Sequence, residues 1–548
     1  MSNQTKIAVI QLTRIGDLIQ TTQAARQLKA ENSDAHLTLI ARGKFARGIT
    51  FLLETVFDEI ILFDTNDFFQ VKEFKGAKKE VSSFINILNS KKFDFSINLS
   101  FSKSSSYLSS VINAEYKMGI SRNDKSEITI SDKWSQYIYS NVMNGSNVPF
   151  SLVDIYRYIM GVEETLVLDP DPDFKKRGNN IVIHPFASQR KKKWGISRWA
   201  ELIYRMSKEQ PESHFHIVGG KEDESEATRL LHTPSLQNLN ERIHIHASKS
   251  SIKDTYKLLM DARLFIGHDS MVSHLASETL TPSVIISLGT VRPFETSPYN
   301  NQAINIAPKN KCYPCNISEK CDLLPCHNSI NHQVVSVIAD GILKGEIINK
   351  NYLSANLTPL HLDPIRVYGS SYDHNGLVLD EVSNNHSSVN DVFKSYYKII
   401  WLYYLRGVET NSKLPDISKS TAQALQQYTS GVNYLFELYN FGVKYSNKII
   451  EGAQAKETNF AEIQSDINKL AEIDNLCNIT KRNYPLLQGL VDYFYVNKAN
   501  ALGDNLLEIS QHNLLNYYDA SNLIAVINDF IEKSVSPHIT PTEVSSEV

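Results

Sequence analysis

The feature that most limits what this chain can become is an alternation of short apolar runs with amphipathic helical stretches, begun at residue 6 and begun afresh near residue 180. The first series reads "KIAVIQL", "LIQTTQAARQLKAEN", "HLTLIAR", "GKFARGITFLLETV" and "EIILFD", with "FDFSINLS" further on. Short β-branched runs separated by helical segments predict βαβ units, hence a parallel sheet covered by helices. After the Pro-rich, charged "LVLDPDPDFKKRGNN" the series restarts with "NIVIHPF", "SRWAELIYRMSKE", "HFHIVGG", "RIHIHA", "RLFIGHDS" and "PSVIISLG". The pattern predicts one doubly wound α/β domain over residues 1–168 and a second over 169–345. Two such units place a cleft at the carboxyl ends of their strands, where open α/β folds bind ligands.

Past residue 350 the texture changes. "IRVYGSSYDHNGLVLDEV" reads as a β-hairpin around Asn375 and Gly376. Tyr-rich segments of helical period follow, predicting a mostly helical accessory domain over 350–535 and a disordered tail over 536–548. A length of 548 residues suits about three domains. The formal net charge of -4 provides no global basic field, so nucleic acid is not an expected partner. No apolar run approaches the roughly 20 residues of a membrane span, and "MSNQTKIAVIQL" has no signal-peptide pattern. The expectation is a cytoplasmic protein without a transmembrane segment, docking on the inner membrane face being left open.

Four segments carry chemistry. In "IAVIQLTRIGDLIQTTQAARQL", Asp17 stands where strand formers give way to helix formers. A carboxylate there is either a helix cap or a functional acid, because helix starts otherwise favour the phosphates of a ligand. In "FIGHDSMVSHLASETL", Asp269 and Ser270 sit at a strand-to-helix turn with His274 on the first turns of the helix. Free N–H groups there, with the Ser270 hydroxyl, suit a diphosphate; the alternative is a capped helix with a half-buried histidine. In "HPFASQRKKKW", Ser188 precedes four cations from Arg190 to Lys193. These form a solvated face, or a cation able to neutralise a leaving diphosphate. In "HFHIVGGKEDESEA", Glu222, Asp223 and Glu224 follow two glycines, where an acid often takes ribose hydroxyls. The Asp-x-Asp pattern within "DPDPD" reads as a rigid linker rather than a metal site.

In order and spacing these segments resemble the heptosyltransferase family of GT-B glycosyltransferases, over roughly residues 5 to 345. The resemblance implies two Rossmann-like domains, the first holding the acceptor and the second a nucleotide-diphosphate sugar such as ADP-heptose. It implies inverting transfer to a hydroxyl of lipopolysaccharide core or of protein Ser or Thr, with Asp17 as general base. Lys192, two residues before Trp194, and Ser188 match donor-loop residues of the family, and Lys192 would contact the donor diphosphate. Asp269, Ser270 and His274 match its Asp-Thr-Gly-x-x-His-Leu signature, with Met271 in place of the glycine. The ribose contact falls to Asp223 or Glu224. No catalytic metal is implied, since Lys192 and helix N–H groups hold the diphosphate. A rival reading is a non-catalytic sugar-nucleotide scaffold, and a homo-oligomer is left open. The extra domain tilts the acceptor toward protein.

Five cysteines occur, and Cys312, Cys315, Cys321 and Cys326 form a C-x2-C-x5-C-x4-C cluster. That spacing can close a tetrahedral structural site for Zn or Fe, the alternative being reduced thiols or a redox-sensitive pair. Such fingers resemble those of the protein-glycosylating branch of the family.

Overall fold

The computed structural model describes residues 4–64, 74–167, 177–316, 320–384, 386–409, 413–457, 459–501 and 503–538. The "DPDPD" stretch and the tail beyond residue 538 lie outside them. The chain divides into two compact units: residues 1–128 with 150–384, and residues 129–149 with 385–548.

The first unit contains both expected sheets, except that the last two residues of the first sheet's sixth strand are counted with the second unit. One is built from β1 (Lys6–Gln11), β2 (His36–Ala41), β3 (Glu59–Leu62), β4 (Phe93–Asn98), β5 (Ala114–Arg122) and β6 (Ile128–Ile130), in the order β3-β2-β1-β4-β5-β6. β1 pairs in parallel with β2 and β4 and is buried from Ile7 to Gln11, because helices cover both faces of a parallel sheet. The other sheet has β7 (Asn180–His184), β8 (His214–Ile217), β9 (Ile243–Ile245), β10 (Ala262–His268), β11 (Ser283–Ile286), β12 (Ala303–Pro308), β13 (Ile365–Asp373) and β14 (Gly376–Glu381). Its order is β14-β13-β12-β11-β10-β7-β8-β9. Strand order reverses between β1 and β4 in the first sheet and between β7 and β10 in the second. Such switch points open a crevice at the strands' carboxyl ends, and there the expected site residues stand.

The two sheets are tied inside this unit. Helix Ile15–Glu31 packs on helix Met271–Glu278, where Arg26 forms a bidentate pair with Glu278 at 3.2 and 2.7 Å and the Gln23 amide donates to Ser277 at 2.8 Å. On helix Leu152–Ile159, the fully buried Arg157 donates to Asp154 at 2.9 Å and to the Asn375 carbonyl at 2.6 Å. Asp154 also accepts from the Tyr299 hydroxyl at 2.7 Å and the Leu377 N–H at 2.9 Å. Breaking a buried pair of this kind by removing one partner costs about 3–5 kcal/mol.

Two boundaries differ from expectation. The hairpin forms, but β13 pairs antiparallel with β12, so residues 365–381 extend the second sheet rather than open the helical domain. Residues 129–149, expected within the first domain, belong to the helical unit. There Tyr137 lies 5.3 Å edge-on to Trp401, which lies 4.9 Å from Tyr493, and the Asn141 amide donates to the Gly489 carbonyl at 3.2 Å. Neither partner is near in sequence, so local periodicity carries no trace of it. Most of the tyrosine-rich segments form the core of this unit: Tyr396, Tyr397, Tyr439, Tyr493 and Tyr517 are buried, while Tyr403, Tyr434 and Tyr518 are exposed. Among the described residues no helix is long and apolar enough to cross a membrane.

Candidate active site

Gln11 ends β1, and helix Ile15–Glu31 begins four residues later with Arg14 as its N-cap. Asp17 is therefore the third helical residue rather than the cap itself, and its carboxylate accepts the Arg14 N–H at 3.0 Å. An acid at this place satisfies an orphan donor and complements the helix dipole. One oxygen remains without a role in the cap. Gly16 lets the helix start come close to the second sheet's turn: a Cβ there would stand 3.1 Å from His274 Cδ2. Tyr156, buried on helix Leu152–Ile159, completes this corner. Burial first, then the Asp17 charge, pushes its phenol well above the usual value, against a hydrogen bond with Gln11.

Across from it, Asp269 and Ser270 follow β10, and helix Met271–Glu278 begins. Lys192 donates to Asp269 at 3.0 Å, with side-chain exposures of 18% and 10%. Burial favours the neutral acid, yet the charges of Lys192 and His274 and hydrogen bonds from Lys192 and Thr296 hold Asp269 below the ordinary carboxylate range. His274 Nε2 lies 3.9 Å from the other Asp269 oxygen. Burial lowers the His274 pKa with help from Lys192, opposed by Asp269 and Asp17, and its Nδ1 is buried with no hydrogen-bond partner. Asp17, His274, Asp269 and Lys192 thus form one chain of interacting groups.

The cation run divides by partner. Lys191 donates to the Asn316 carbonyl at 3.2 Å, Lys192 to Asp269, and Lys193 to Glu226, while Arg190 stays exposed. Three consecutive lysines with three different partners are not a plain solvated face. Ser188 is exposed in the same loop, and Met271 is half-buried as the first residue of its helix. Asp223 is half-buried and accepts the Gly220 N–H at 2.9 Å, whereas Glu224 is exposed.

His184, at the end of β7, was not among the residues expected here. Its Nδ1 shares a hydrogen bond of 3.1 Å with the Ser270 hydroxyl, and burial beside His268 and Lys193 lowers its pKa to about 3. The available signal was a histidine closing "IVIH" at the switch-point strand. His268 is buried between the Trp194 N–H, which donates to its Nε2 at 3.0 Å, and the Ile286 carbonyl at 3.1 Å.

In the finger, Cys315 and Cys326 are buried, Cys321 half-buried and Cys312 exposed. Burial first, and then the charges of other finger cysteines, push up the Cys315 and Cys326 thiols. Among the described residues, however, no three His, Cys, Asp or Glu side chains converge closely enough to hold a metal ion. The expected tetrahedral site is not formed in this geometry.

Residues 81–326 match the family model of glycosyltransferase family 9 (heptosyltransferase), with the Arg14–Thr22 motif ahead of the matched stretch. The lipopolysaccharide core heptosyltransferase OpsX of Haemophilus influenzae is 23% identical over 309 residues, 54% of this chain and 82% of OpsX. Among solved structures, the E. coli ADP-heptose lps heptosyltransferase II aligns with a TM-score of 0.46 and 16% identity, over 62% of this chain and 99% of that one. E. coli heptosyltransferase WaaC with ADP aligns at 0.42 and 14%, over 55% and 92%.

Proposed function

We propose that this chain, whose residues 81–326 match the model of glycosyltransferase family 9 (heptosyltransferase), moves a heptose from a nucleotide-diphosphate donor to a hydroxyl with inversion. The observation that carries this reading is the pair of facing turns, one presenting Asp17 and the other a Lys192-neutralised Asp269 at a helix start. Asp17 takes the acceptor hydroxyl's proton as its oxygen attacks the anomeric carbon, and the bond to the diphosphate breaks. Lys192, the helix N–H groups and Ser270 receive the developing charge on the leaving diphosphate, so transfer persists in a chelator. Asp223, half-buried beside the glycine turn, is favoured over Glu224 for the ribose. The similarity to OpsX favours a lipopolysaccharide core acceptor, while the helical unit favours a protein Ser or Thr. Incubation with ADP-heptose and each acceptor class, read by mass spectrometry, tests the reading: a heptose adduct on either supports it, and none on both with intact donor sinks it. A structural metal on the four finger cysteines would require those sulfurs to draw together, and metal analysis of the purified protein decides it.

A further inference from the structure

Behind the donor loop lies a contact that the proposed chemistry has not used. The peptide joining Lys191 to Lys192 is held at both ends. Its N–H, that of Lys192, donates to the Gln189 carbonyl at 3.0 Å. Its carbonyl, that of Lys191, accepts from His327 Nε2 at 2.9 Å. His327 follows Cys326 directly on the short helix Pro325–Ser329 of the cysteine finger.

Gly289 locks the same place from another side. It follows β11 with φ +63°, and a Cβ on it would stand 2.6 Å from the Lys191 carbonyl oxygen. Its own carbonyl accepts the Cys315 N–H at 2.8 Å. Finger, Gly289 and donor loop therefore meet at one peptide plane. That plane sets where the Lys192 side chain starts, and Lys192 reaches Asp269.

We propose that His327 is a positioning residue for Lys192, so that the cysteine finger serves as the rear support of a diphosphate subsite. This rests on the reading of Lys192 as the diphosphate contact. A loosened peptide lets Lys192 depart from the place where the second phosphate sits, while contacts to a nucleoside monophosphate, which lacks that phosphate, are left alone.

The test compares ADP and AMP binding by calorimetry to the full-length protein and to His327→Ala, His327→Gln and Gly289→Ala, with melting temperatures taken in parallel. Glutamine places an amide N–H near the position of an imidazole Nε2–H, so it keeps the donor. ADP affinity should fall about tenfold in His327→Ala and Gly289→Ala with AMP affinity unchanged, and His327→Gln should recover most of the loss. Unchanged ADP affinity in His327→Ala overturns the proposal, as does equal weakening of ADP and AMP together with a lowered melting temperature, which would make the contact merely structural. Absence of ADP binding by the unaltered protein would overturn the donor reading itself, and this inference with it.

Discussion

Two carboxylates stand at the starts of two facing helices, and their surroundings differ. Asp17 is half-buried and held by one backbone N–H, that of Arg14. Asp269, its side chain 10% exposed, pairs with Lys192 and has His274 close by. The same residue type at the same kind of turn is in one case left with one oxygen outside the cap, the one to which the proposed function gives the acceptor's proton, and in the other neutralised. Partners, not position in the fold, divide the roles.

The comparison breaks first at Asp17. Asp17→Asn keeps the shape and the hydrogen bond to Arg14 but cannot take a proton, so turnover should fall by about two to four orders of magnitude while ADP affinity stays near that of the parent. Near-normal turnover would reduce Asp17 to a helix-start acid. Next comes Lys192→Ala. Loss of one charge-assisted contact, about 1.5–3 kcal/mol, weakens ADP binding roughly 10- to 100-fold. Lys191→Ala and Lys193→Ala, whose amines point to Asn316 and Glu226, should each change it far less; three equal small effects would restore the solvated basic face.

Asp269→Asn sharpens the contrast through pH. Because the folded-state pKa of Asp269 is depressed, its stabilisation is complete above the unfolded value of about 3.9 and is lost as pH falls through the lower folded value. The variant should be less stable than the parent by about 1–3 kcal/mol at neutral pH. Denaturant melts should show that gap closing below pH 4, and a constant gap would mean that packing rather than the ion pair is responsible. The smallest effect is expected from Gly16→Ala. Alanine is a better helix former by up to about 1 kcal/mol, yet its Cβ would press His274 back by a few tenths of an ångström. Stability should hold or rise while turnover drops severalfold.

The parallel parts of both sheets were legible, because strand and helix periods alternate locally and the switch points follow from parallel winding. The family resemblance was legible for the same reason, its motifs falling at the ends of those strands. The place of Asp17 as third helical residue was not, since cap position depends on backbone angles at Arg14. Partners of the lysine run were hidden too: Glu226, Asp269 and Asn316 come from three different segments. A histidine that ends a buried strand, as His184 does, looks in sequence like any other core histidine, and only the fold brings Ser270 beside it. The hairpin at residue 375 is legible in its turn, but the strand it joins is not, as turn chemistry says nothing about that partner.

The helical unit is made from two separated stretches of chain, and that has a cost in time. Trp134 and Tyr137 are made about 260 residues before Trp401, the ring against which Tyr137 packs. At roughly 5–20 residues per second, ribosomal synthesis leaves them without it for on the order of tens of seconds. During that interval Trp134 and Tyr137, whose rings stand 5.5 Å apart, wait for the aromatic partner that the finished fold gives Tyr137. A gene fragment ending at residue 384 would make that wait permanent.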